Sequence, residues 1–138
     1  MTLPRRRSPA PSPPRHICSR CVRTEGARSG PGMAYVGFMS TPLFQVDAFT
    51  RRVLQGNPAA VCVLEQWPSD SVLQRIAQEN NLSETAFLVH EGPRMRIRWF
   101  TPTVEVDLCG HATLASAWVY FHRLDRAAQQ VIFDSKSG

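Results

Sequence analysis

The sequence predicts an α+β domain in which a curved antiparallel sheet surrounds a central helix. Three observations carry this. Runs suited to strands and runs with helical spacing follow in the order strand, strand, helix, strand, strand, helix, strand. The second helical run, "ATLASAWVYFHRL", is apolar on most of its circumference, as a helix covered by its neighbours is. The basic excess belongs to one end of the chain and leaves the rest near neutral.

That end is residues 1–32, with seven arginines against one acid, Glu25, and six of the eleven prolines. Residues 33–138 hold nine basic and ten acidic side chains, so their charge is −1 within the total of +5. A folded part without a basic stripe argues against nucleic-acid binding. The first 40 residues carry few aliphatic side chains and no periodicity, so residues 1–40 are expected to be a disordered Arg/Pro-rich leader. Cys18 and Cys21 form a lone C-x-x-C with His16 nearby, short of the four ligands of a structural zinc site. No secretory signal and no membrane-length apolar run is present, which points to a cytoplasmic protein with reduced thiols and no membrane contact.

Order is expected from near Leu43. "LFQVDAF" alternates as a strand, Gly56-Asn57-Pro58 ends a turn, and "AAVCVL" reads as a fully apolar strand. Ser69 is placed to cap a helix whose inner face carries Val72, Leu73, Ile76 and Ala77. "TAFLVH" and "RMRIRWF" form strands around Gly92-Pro93, with Arg94, Arg96 and Arg98 on one face, read as solvated. "QQVIFD" starts a last strand.

Chemistry is concentrated at two places. Cys109, Gly110 and His111 stand at the N-terminus of the apolar helix, where free N–H groups and about half a positive charge suit a substrate carboxylate. The same field is expected to lower the pKa of Cys109. Gly110 admits a ligand close to the backbone, and His111 could donate or transfer a proton. A packed cysteine and a capping histidine explain the spacing equally well. The second place is "NNLSETAFL", where Glu84 meets an apolar strand and could serve as a general acid/base, with Ser83 beside it; solvated turn residues are the plain alternative.

Taken together, "FQVDAFT", "GNPAAVCVL", "IAQENNLSETAFL", "IRWFTPTVEVDLCGHATLASA" and the final "SG" occur in the order found in the PhzF family, and the chain resembles that family from about Leu43 to Gly138. The resemblance implies a fold of the diaminopimelate epimerase type, with two α+β halves and an active site between them. It implies an isomerase that moves a proton on a small carboxylic acid, with no cofactor and no metal. The family's proton-carrying glutamate falls on Glu84, and its substrate-contacting glycine and histidine fall on Gly110 and His111. Cys109 stands where epimerase and racemase relatives carry a catalytic cysteine, so a Cys-dependent racemase or epimerase half is an alternative. A non-catalytic interaction module is another, since an animal member of the family is a partner of a WD-repeat protein. The resemblance also admits a homodimer. On this reading residues 41–138 are an incomplete N-terminal PhzF-like domain. The C-terminal domain and its second acidic residue are missing, and the truncated chain is expected to be inactive alone and poorly stable.

Overall fold

In a computed structural model the described residues are 19–25, 38–52 and 54–138, with side chains from Thr41 onward. They form one sheet and two helices. The strands are β1 (Ser19–Glu25), β2 (Phe38–Ala48), β3 (Asn57–Leu64), β4 (Glu84–Glu91), β5 (Arg94–Phe100), β6 (Glu105–Val106) and β7 (Phe133–Asp134). Helix α1 (Asp70–Asn80) joins β3 to β4, and α2 (Gly110–Val119) runs into a π-helical turn over Tyr120–Leu124. The sheet order is β1-β2-β3-β4-β5-β6, with β7 also paired to β5.

Two sequence expectations change here. The sheet is mixed rather than antiparallel: β3 and β4 run parallel because α1 carries the chain back between them, and β5 pairs β7 in parallel as well. Order also begins before Leu43. Ser19–Glu25, within the stretch read as a disordered leader, pairs antiparallel with Phe38–Phe44. Low apolar content argues against burial in a core, but an edge strand needs only backbone partners. Residues 1–18, with His16 and Cys18 of the C-x-x-C reading, lie outside the described residues, as do residues 26–37.

Strand alternation divides the interior into two cores. Val46, Ala59, Val61, Ala86, Leu88, Met95, Ile97 and Trp99 face α2 and meet its Ala112, Ala115 and Val119. Leu43, Ala60, Cys62, Leu64, Phe87, Val89 and Phe100 face the other way and meet Leu73, Ile76 and Ala77 of α1. Helix α1 thus has the face that its spacing predicts. Ser69 occupies the N-cap position, but its hydroxyl pairs with Ser71 Oγ at 3.0 Å rather than capping the helix. Asn81 ends it in the left-handed conformation, φ 51°, with its N–H on Ala77 O at 3.2 Å. Gly56 is required by a close approach: a Cβ there would lie 2.5 Å from Ala48 O and 2.9 Å from Asp47 Cβ.

Helix α2 is less enclosed than its composition predicts. Ala112, Ala115, Ser116 and Val119 are buried, whereas Leu114 is 49% exposed. The described sheet covers one side of the helix and leaves apolar side chains on the other.

In the arginine row Arg94 and Arg96 are exposed as expected, and only Arg98 departs from a solvated face. Arg98 is only 16% exposed. Its Nε and Nη2 donate to Glu105 at 2.7 and 2.8 Å and its Nη1 to Asp70 at 2.9 Å, with the guanidinium stacked near Trp67 and Phe100. Lys136 Nζ donates to the same Glu105 at 2.7 Å, and Ser137 Oγ to Asp107 O at 2.9 Å. These bonds hold the segment that leads into α2. The Arg98 guanidinium holds the Glu105 carboxyl at about 2, against burial, with Lys136 adding to the effect. A carboxyl lowered on folding contributes stability above its ordinary pKa and loses that contribution as pH falls toward the folded value. The urea midpoint of the native chain is therefore expected to drop between about pH 4.5 and pH 2. Glu105→Gln should be less stable at neutral pH and show a shallower drop in that window.

Candidate active site

Glu84 opens β4 beside Ala59 of β3. Alternation puts it on the same face as Ala86 and Leu88, which is the α2 face. Its neighbour Thr85 points the other way, fully buried, and accepts from Asn80 Nδ2 at 3.2 Å. Ser83 turns its hydroxyl to Pro58 O at 3.3 Å and so ties the two strand ends together.

Cys109 is the N-cap of α2, with extended backbone (φ −145°), and its carbonyl accepts from Thr113 N at 3.1 Å and Thr113 Oγ1 at 2.6 Å. The next residues enter the helix, so the N–H groups of Gly110, His111 and Ala112 have no partner within it. A Cβ built on Gly110 would meet nothing within 4 Å. The first turn of α2 is thus open at Gly110.

The fold brings three of the five sequence-predicted residues together. His111 Nε2 lies 3.1 Å from Glu84 Oε2, with side chains 10% and 21% exposed. Cys109 Sγ lies 3.4 Å from His111 Nδ1. The short Glu84–His111 contact is out of line for a hydrogen bond, and both atoms are buried with no hydrogen-bond partner. Gly110 adjoins the group through the chain, and Ser83 belongs to the strand anchor instead. Trp99 Nε1 is also buried without a partner, in the same α2-side core. An indole inside an alternating strand reads from sequence only as core, so no signal marked it.

Carboxylate, imidazole and thiol donor atoms lie within 4.8 Å of one another. The thiol touches Nδ1 and the carboxylate Nε2, and together the three offer one donor fewer than a structural zinc site normally takes. The arrangement suits proton handling, with the imidazole in contact with both a carboxylate and a thiol.

One expectation about Cys109 is corrected. Burial pushes its thiol above the ordinary value and the negative charge of Glu84 adds to this, outweighing the N–H groups of Ala112 and His111. The helix terminus alone would lower it, but the apolar surroundings and the neighbouring carboxylate win.

A family model described as "Phenazine biosynthesis-like protein" (PhzC-PhzF) matches residues 46–138. The chain belongs to the PhzF family. It is 60% identical over 100 residues to an uncharacterized isomerase of Pseudomonas aeruginosa, covering 72% of this chain and 39% of that protein. Human phenazine biosynthesis-like domain-containing protein is 48% identical over 108 residues, covering 72% and 38%. The crystal structure of a PhzF-family protein from Enterococcus faecalis superimposes with a TM-score of 0.71 at 57% identity, over 72% of this chain and 38% of that one. The chain therefore spans about two fifths of the length of the relatives it matches. The PhzF fold class expected from the motifs is borne out, and isomerase is the activity named among its relatives.

Gly110→Ala separates site from scaffold. The added methyl has free space and alanine favours a helix over glycine by about 0.5–1 kcal/mol. Thermal stability is expected to hold or rise slightly, while affinity for a carboxylate ligand, measured by calorimetry, falls.

Proposed function

We propose that this chain supplies one wall of a cofactor-independent isomerase site, in which Glu84 moves a proton between two carbons of a small unsaturated carboxylic acid. The observation that carries the reading is the Glu84–His111 contact at 3.1 Å, two buried and unpartnered polar atoms beside the open start of α2. A buried polar group without a partner costs about 1–3 kcal/mol, and a ligand that pairs with it recovers that cost.

In the proposed reaction the substrate carboxylate sits at the first turn of α2, held by its N–H groups and by His111. The Glu84 carboxylate takes a proton from one carbon, and the electron pair left behind spreads through the unsaturated acid. The protonated Glu84, once its acidic proton has exchanged with solvent, delivers a proton to a second carbon and is ionised again. Nothing is oxidised or reduced, and the step needs only a shuttle and stabilisation of the transient charge. The raised thiol pKa of Cys109 disfavours the alternative in which Cys109 is the base.

We also propose that the 138-residue chain alone is inactive, because the resemblance places the second acid on the half of the family's fold that this chain does not span. The test is solvent deuterium uptake into a panel of small unsaturated carboxylic acids, followed by mass spectrometry. Uptake is expected when the chain is extended by the C-terminal portion found in its relatives, and not without it. No uptake in the extended protein, with ligand binding demonstrated, overturns the isomerase reading.

A further inference from the structure

Resting on the reading of Glu84 as proton carrier, we propose that Cys109 is a positioning residue: its thiol donates to His111 Nδ1 and holds the imidazole with its proton on Nε2, facing Glu84. A neutral imidazole has one N–H and one acceptor nitrogen, and the second contact of the ring decides which is which. Here each ring nitrogen has a polar neighbour, and only the one at Nδ1 is placed for a hydrogen bond. Nδ1 has Cys109 Sγ at 3.4 Å, and Nε2 has Glu84 Oε2 at 3.1 Å. A proton on Nδ1 would leave the lone pair of Nε2 against a carboxylate oxygen, two acceptors in contact in a largely buried place. A proton on Nε2 pairs donor with acceptor at Nδ1 and puts a positive N–H edge, rather than a lone pair, beside the carboxylate oxygen.

Three features make Cys109 fit to be the donor. The residue is buried, and burial together with the Glu84 charge keeps the thiol protonated. Its main chain is fixed by the two bonds from Thr113 to its carbonyl. It stands at the N-cap with extended backbone, outside the helical turn that carries His111. The Nε2 proton, out of line with Glu84 Oε2, remains able to bond a ligand oxygen placed at the open side of Gly110. Cys109 thereby acts through His111 and does not touch the reacting atoms.

The full 138-residue chain suffices for the test. The infrared S–H stretch of Cys109 is obtained as the difference between native chain and Cys109→Ala, which separates it from the other three thiols. The expected band is broadened and shifted to lower frequency, and it moves to the free-thiol position in His111→Ala. Nitrogen-15 spectra of native His111, taken well above the ordinary histidine pKa of about 6.5, are expected to report an unprotonated Nδ1 and a protonated Nε2. Cys109→Ser keeps a donor and should keep that signature, and it also stands in where Cys109→Ala fails to fold. A native band at the free-thiol frequency, no S–H band at all, or a protonated Nδ1 overturns the proposal. None of these readouts depends on turnover. A failure of the Glu84 mechanism would instead appear as proton exchange that survives Glu84→Gln while the S–H band stays shifted.

Discussion

Phe87→Ala is expected to cost about 3–5 kcal/mol and to leave most of the chain unfolded under conditions where the native chain is folded. Phe87 is fully buried in β4, with β3 on one side and β5 on the other. Its ring meets Phe100 edge to face, 5.5 Å between centroids, in the core shared with α1. Truncation removes the transfer free energy of the ring, leaves a cavity that two hydrogen-bonded neighbours prevent from closing, and deletes an aromatic pair worth about 0.5–1.5 kcal/mol more. Small domains have a total stability of about 5–15 kcal/mol, so one side chain accounts for a large share. Urea unfolding followed by tryptophan fluorescence checks it: the midpoint should fall steeply with little change of slope. Phe49→Ala is the control, because Phe49 is 74% exposed and the change should stay within about 0.5 kcal/mol. Equal losses for the two would mean that the core is not packed as described.

Period-2 and helical spacing are local signals, and they were enough to place β2 to β5, α1 and α2 in order. What they left out depends on partners distant in the chain. Arg98 alternates like a surface residue, yet Asp70, Glu105 and Lys136 gather around it once β5, α1 and the chain end are brought together. The parallel pairing of β3 with β4 follows from the path through α1, which periodicity within either strand does not express. Strand β1 was hidden because a hydrophobicity test measures core burial, and edge pairing does not need it. The apolar circumference of α2 was legible, but not how much of it the described residues would cover.

The site was legible unevenly. Glu84, Gly110 and His111 were singled out by residue type and by motif order, and the fold places Glu84 against His111. Their proximity was not readable from spacing, since alternation tells that Glu84 shares a face with Ala86 but not which helix covers that face. Cys109 went astray in sign. The helix terminus is visible in sequence, whereas burial, the largest cause, and the lesser Glu84 charge arise only on folding.

In the protein extended to the length of its relatives, Glu84→Gln is expected to lower kcat for proton exchange by about 10²–10⁴-fold, the usual contribution of a positioned acid/base. The amide keeps the shape of the carboxylate and can still contact His111, but it does not take up a proton. Stability should be unchanged or slightly higher, because the substitution removes an ionisable oxygen that is buried without a hydrogen-bond partner. Loss of exchange without loss of melting temperature distinguishes a chemical role from a structural one. Ligand affinity should change little, since the proposed arrangement has the substrate carboxylate at the start of α2 rather than on Glu84. Cys109→Ser provides the opposing case. Its hydroxyl can still donate to His111 Nδ1, so exchange should persist at a reduced rate with the pH profile preserved. If Cys109→Ser abolishes exchange while Glu84→Gln retains it, the shuttle is the cysteine. The raised thiol pKa would then have to be overcome by the bound substrate, through displacement of the Glu84 charge from the thiol.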